Sequence, residues 1–212
     1  MWSCRVGVAF ATFLLMVLGN LVTVPGWCAS SFIRIPLGKG ASIEVPKNWV
    51  VFSNKKLVTL DAFVEAKGFK LTESSLVFAA NLYDGQKKTM ASINVRFYPD
   101  NTLTQAEVRQ ATANELRELD VELRQIVRTS LNKMGIRMEK WFGTRILNIN
   151  GLYALVHEHQ QNNIGSDEST IVRGLRVLSS PRSFTATISY REREAAILFP
   201  IVDYMTKSLR QE

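Results

Sequence analysis

The stretch TMASINVRFY (89–98) alternates without a break. Ala91, Ile93, Val95 and Phe97 point one way, and Ser92, Asn94 and Arg96 point the other. Side chains two apart share a face of a strand, so one side of this strand is buried and the other is wet. That pattern belongs to an antiparallel sheet. Pro99 stops the strand, and a few residues later the period changes. Thr104-Gln105-Ala106-Glu107 has the form of a capping box, in which the threonine hydroxyl and the glutamate each satisfy a free N–H at a helix start. Leu116, Leu119, Leu123, Ile126, Val127, Leu131 and Met134 then recur at spacings of three and four until Gly135. The spacing predicts about thirty residues of amphipathic helix, about 45 Å long at 1.5 Å per residue. Its apolar stripe needs a sheet to cover it.

Further strands flank this unit. FIRIPL (32–37) and SIEVP (42–46) surround Gly38-Lys39-Gly40, followed by Trp49-Val50-Val51-Phe52. VTLDAFVEAKG (58–68) reads as a short helix ending at Gly68, and SLVFAANLY (75–83) as the strand before Asp84-Gly85. After Gly135, IRMEKWF (136–142) and TRILNI (144–149) lead to Asn150-Gly151, a pair that tolerates the positive φ of a tight hairpin. LYALVHEHQ (152–160) leaves that turn. TIVRGLRVLSS (170–180) and SFTATISY (183–190) pair across Pro181-Arg182, with Phe184, Ala186, Ile188 and Tyr190 inward. A closing helix carries Ile197, Ile201, Tyr204 or Met205, and Leu209, with Pro200 expected to kink it or mark its start. The expected class is α+β: an antiparallel β-sheet with a long central helix and a C-terminal helix packed on it.

The first thirty residues stand apart. Arg5 precedes a greasy run from Val6 to Gly19, and Pro25 and small residues including Ala29 and Ser30 follow. That is the layout of a secretory signal peptide over 1–30. The alternative is an uncleaved anchor, since residues 6–24 approach the roughly 20 needed to span a bilayer. Both readings put residues 31–212, one domain, outside the cytoplasm, periplasmic or secreted, or held at the inner membrane facing the periplasm. Cys4 and Cys28 both lie in the leader, so the remainder has no thiol chemistry and no disulfide. Its stability has to come from burial.

The whole chain carries 26 Lys+Arg against 19 Asp+Glu. Without Arg5 the net charge is +6, dispersed and without a run of five. Arg128, Lys133, Arg137, Lys140 and Arg145 gather around Trp141 and Phe142. We single out Arg137, Lys140, Trp141, Phe142 and Arg145 as a candidate surface for a partner or an anionic ligand or membrane surface. The plainer reading is a solvated helix end and strand. Nucleic acid is not an expected partner of an exported chain.

Both histidines fall in one strand, His157 and His159, two apart and on one face. Two imidazoles with Asp167 or Glu168 would form a metal-ligand set. From His157 onward both faces turn polar, and we read the stretch instead as a strand end emerging into solvent. There is no G-x-S-x-G elbow, P-loop or G-x-G-x-x-G. ELRELDVELR (115–124) interleaves carboxylates with arginines as an ion-paired solvent face does. The expectation is a protein that is not an enzyme and uses no cofactor.

IEVPKNW (43–49) after a first hairpin, the long helix, the hairpin LNINGLYAL (147–155), two further strands and IVDYMTKSL (201–209) together resemble the PsbP-like superfamily. That group includes PsbP, the Ran-binding Mog proteins and bacterial envelope proteins of the DcrB type. The resemblance covers roughly 32–210. It implies a sheet sandwiched by helices, and a module that works by binding an envelope protein whose identity the motifs do not name. It carries over no site residue, and the pattern fixes no oligomeric state.

Overall fold

The computed structural model describes residues 32–66, 74–98, 104–163, 168–178 and 183–211. The expectations placed on the leader, both cysteines, Gly68, Pro99, Asp167 and the Pro181-Arg182 turn lie outside these residues. Phe32–Glu212 forms one compact unit.

Alternation builds the main sheet. Its strands are β3 (Val50–Val51), β4 (Ser75–Tyr83), β5 (Thr89–Tyr98), β6 (Ile136–Ile149), β7 (Leu152–Asn163), β8 (Ser169–Val177) and β9 (Ser183–Arg191). They lie in the order β3-β4-β5-β9-β8-β7-β6, with antiparallel pairing throughout. β5 buries the four apolar residues of its pattern. Register places Ile93 opposite Ile188 and Phe97 opposite Phe184. Asn150 (φ 53°) and Gly151 (φ 87°) make the left-handed turn between β6 and β7, as their types predict. The Asn150 amide also donates to the carbonyls of Lys207 and Leu209, tying this turn to the C-terminal helix.

A smaller sheet, β1 (Phe32–Gly38), β2 (Ala41–Pro46) and β10 (Arg210–Gln211), runs in the order β1-β2-β10. With the C-terminal helix it covers one face of the main sheet. Ile43, Val45, Leu198, Val202, Met205 and Leu209 meet Ile93, Val95, Val156, Leu175 and Phe184 there in one core. The opposite face carries α1 (Asn54–Ala66) and the two-part central helix, α2 (Gln105–Gln110) and α3 (Ala113–Lys133). Asp61 of α1 holds Arg96 of β5 at 2.6 Å.

Two expectations need correction. The thirty-residue helix is broken in two. Thr112-Ala113-Asn114-Glu115 repeats the threonine–glutamate spacing of Thr104–Glu107, and both capping boxes form. Ala111 turns out of helical geometry between them (φ −53°, ψ 126°). The strands 136–142 and 144–149 are one strand, because Gly143 (φ 102°) supplies a bulge instead of a break. Of the two places its sequence allows, Pro200 takes the interior of the C-terminal helix α4 (Ala195–Lys207) and not its start. Pro200 has no N–H for the carbonyl of Ala196, four residues earlier.

Candidate functional site

The register of β7 against β8 sets Glu158 opposite Arg173 on the core side of the sheet. Arg173 is 2% exposed, deeper than any other charged side chain described. Its Nε donates to Glu158 Oε1. Its NH1 lies 3.3 Å from Thr206 Oγ1 and 3.7 Å from Asp203 Oδ1 on α4. The guanidinium also sits 5.4 Å from the centre of the Phe199 ring. Glu158 Oε2 is 3.4 Å from Arg145 NH1. Burial pushes the Glu158 carboxyl up, but Arg173 and then Arg145 outweigh it and hold the pKa below the usual range. The carboxylate therefore stays charged.

Above this pair opens a cleft of about 430 Å³. Phe142 of β6 and Phe199 of α4 form its walls, and Ile171, Ala195, Ala196 and Pro200 extend the apolar lining. Glu158 and Tyr190 are its polar groups. Both phenylalanines are exposed, 43% and 48%. Tyr190 is 3% exposed, and its hydroxyl has no hydrogen-bond partner among the described residues. Burial raises its pKa, with Arg173 opposing and Glu158 adding to the effect. An apolar cleft of a few hundred cubic ångströms with a few convergent polar groups is the usual form of a binding site.

The five residues singled out around Trp141 do not share one surface. Phe142 lines the cleft, with Lys140 Nζ 4.9 Å from its ring centre. Arg145 reaches the same carboxylate as Arg173, and Arg137 pairs with Glu139 at 3.0 Å. Trp141 faces the other way, where its Nε1 donates to Asp120 Oδ1 of α3 at 2.8 Å. Alternation along β6 turns these two neighbours to opposite faces of the sheet.

The histidines correct the expected strand end. They lie beneath α3 in a near-parallel stack with Trp141. Ring centres are 5.5 Å apart from Trp141 to His157 and 6.0 Å from His157 to His159. His159 is buried, and its Nε2 meets Gln161 Oε1 at 3.0 Å. The pattern read as solvent is instead covered by a helix on one face and by the Arg173–Glu158 pair on the other. Burial pushes the His157 pKa down to about 4, helped by His159 and opposed by Glu158 and Asp120. His159 is lowered by burial too. Among the described residues no three His, Cys, Asp or Glu side chains gather as a metal set. Glu168 instead lies 3.1 Å from both Arg191 and Arg193.

A second hollow of about 480 Å³ lies where α2 meets α3, lined by Val108, Leu116, Leu119, Ile146, Leu155 and Leu178. Gln105 at its end donates to the carbonyls of Tyr153 (3.0 Å) and Leu178 (2.6 Å) and accepts from the Tyr153 N–H (2.6 Å). It is a seam between helix and sheet, with the capping-box glutamates Glu107 and Glu115 also in its lining.

Sequence reasoning missed Arg173, Tyr190 and Phe199. The one signal was that Arg173 in TIVRGLRV alternates in step with Ile171, Leu175 and Val177, whereas Arg176 falls on the other face.

No protein-family model matches the sequence, and no curated protein matches it. Solved structures do match in shape. The cyanobacterial PsbP protein CyanoP of Synechocystis sp. PCC 6803 superposes with a TM-score of 0.54 at 10% identity, covering 92% of this chain and all of CyanoP. Looser likenesses include the Saccharomyces cerevisiae Ran-binding protein Mog1p (TM-score 0.46, 11% identity, 85% of this chain and 95% of Mog1p). LpqN of Mycobacterium tuberculosis, described as involved in cell envelope biogenesis, gives 0.44 at 10% identity over 84% of this chain and 88% of LpqN. The chain therefore has a PsbP-like fold, as the resemblance of its motifs implies.

Proposed function

We propose that this chain is a non-catalytic binding module of the bacterial cell envelope, exported by residues 1–30, which grips a partner protein at the Phe142–Phe199 cleft. One observation carries the reading. Two exposed aromatic rings from distant elements flank a floor of buried, ion-paired polar groups. Aromatic anchors around a well-packed pocket are where protein interfaces concentrate their energy. A membrane or anionic-ligand role for the 137–145 stretch has less support, because Arg137 and Arg145 already face Glu139 and Glu158.

A photo-crosslinking residue placed at 199, in cells that make the full chain, tests this. The same residue at Lys56 on α1 is the control. A discrete adduct from 199, absent from 56 and removed by Phe142→Ser, is the expected result. Identical adducts from both positions, or none from 199, would overturn it.

A further inference from the structure

We propose that the group seated in the cleft is a tyrosine side chain of the partner protein. This rests on the binding reading above and deepens it by naming what is bound.

The cleft selects by elimination. Its walls, Phe142, Phe199, Ile171 and Pro200, demand an apolar body, and flat rings meet such walls in the offset or edge geometries aromatic pairs prefer. Serine, threonine, asparagine and glutamine lack that body. The head group then meets Glu158 and Tyr190. A carboxylate would be set against the Glu158 carboxylate. An ammonium or guanidinium would be set against Arg173 and Arg145, which already neutralise Glu158, and against the Lys140 ammonium at the Phe142 wall. The occupant is neutral.

Among neutral residues, a phenylalanine or leucine would cover the Tyr190 hydroxyl without giving it a partner, and would add nothing to the Glu158 carboxylate, which Arg173 and Arg145 already hold. Sites built from such polar groups discriminate strongly against analogues that lack the matching group. An indole only donates, so a tryptophan could serve Glu158 but could not accept from Tyr190. A phenol hydroxyl does both: it donates to the carboxylate and accepts from Tyr190. Tyr190, whose hydroxyl opens into the cleft with no hydrogen-bond partner among the described residues, is the observation that carries the choice.

The test titrates the full chain with N-acetyl-tyrosine amide, N-acetyl-phenylalanine amide, N-acetyl-tryptophan amide and N-acetyl-lysine amide, read by NMR at the methyls of Ile171, Ala195 and Ala196. The tyrosine amide is expected to bind about tenfold tighter than the phenylalanine amide, the loss typical of one buried hydrogen-bonding group. Tyr190→Phe removes an unpartnered hydroxyl and so leaves the fold intact. It should cut tyrosine-amide binding about tenfold and leave phenylalanine-amide binding unchanged. Equal binding of the tyrosine and phenylalanine amides would overturn the inference. So would tighter binding of the tryptophan or lysine amide, or no methyl shift with any probe. If selectivity fails while the adduct from position 199 persists, the tyrosine falls and the binding reading stands. If selectivity holds and no site-dependent adduct forms, the binding reading fails instead.

Discussion

The imidazole of His157 lies across the backbone of its cross-strand neighbour Gly174: a Cβ at 174 would fall 2.2 Å from His157 Cε1. Glycine stands there because a ring occupies the space a side chain would need. The ring is held by its neighbours, since Trp141 and His159 both pack against it, with ring centres 5.5 Å and 6.0 Å away. Gly174→Ala should therefore destabilise the chain by about 1–3 kcal/mol, the usual cost of overpacking. His157→Ala removes the obstruction. In a double-mutant cycle the pair should cost less than the sum of the single changes by about 1 kcal/mol or more. Urea denaturation of the four proteins measures this. Additive costs would mean that the ring and the glycine do not compete for space.

The same ring sets a pH dependence. The His157 pKa falls to about 4 in the folded chain, against an unfolded value near 6.5. Between those values the unfolded chain binds the proton more readily, so stability rises with pH across that window. The contribution is fully present above about 6.5 and is lost as pH falls through about 4. The slope for one such group approaches about 1.4 kcal/mol per pH unit. Urea midpoints between pH 7 and pH 4.5 should decline, and His157→Gln should flatten the decline. An unchanged slope would mean that other groups dominate.

Much of this architecture is visible in the letters. The alternation of Ala91 to Phe97 and of Phe184 to Tyr190, and the turn at Asn150-Gly151, need only local rules to be read. The break between α2 and α3 was equally local, since Thr112 and Glu115 repeat the first capping box, but the leucine spacing that follows masked it. The site is different in kind. Glu158 and Arg173 meet only through the register of β7 and β8, and Phe142 and Phe199 are walls of one cleft only because α4 crosses the sheet there. Those are long-range facts, carried by no single stretch of sequence. The histidines misled for a related reason: polar residues two apart look solvated until a helix is known to cover them.

Gln105 offers a sharper test of the helix–sheet seam. Leu178 lies just beyond the last residue of β8, and the Gln105 amide takes the next strand's place beside Tyr153, serving both backbone groups of that residue. Gln105→Leu would strand the Tyr153 N–H and the carbonyls of Tyr153 and Leu178. The expected cost is about 1–3 kcal/mol, with faster amide hydrogen exchange at Tyr153. Gln105→Glu keeps the acceptor and loses the donors, so it should protect the Tyr153 amide while still lowering stability. Equal exchange in both variants would show that the amide oxygen makes no difference to this strand end.

The buried ion pair separates stability from recognition. Removing Arg173 alone, as Arg173→Met, leaves the Glu158 carboxylate largely out of water with only Arg145 at 3.4 Å, and should cost about 3–5 kcal/mol. Arg173→Met with Glu158→Leu replaces both charges by apolar groups of similar reach. Pairs exchanged in this way are often neutral or stabilising, so most of the lost stability should return. The acceptor at the cleft floor does not return with it. The double variant should therefore fold with a near-native urea midpoint, yet show a smaller preference for tyrosine amide over phenylalanine amide, with the Tyr190 hydroxyl still in place. A double variant that keeps the whole preference for tyrosine would show that Glu158 holds the fold together and takes no part in choosing the ligand.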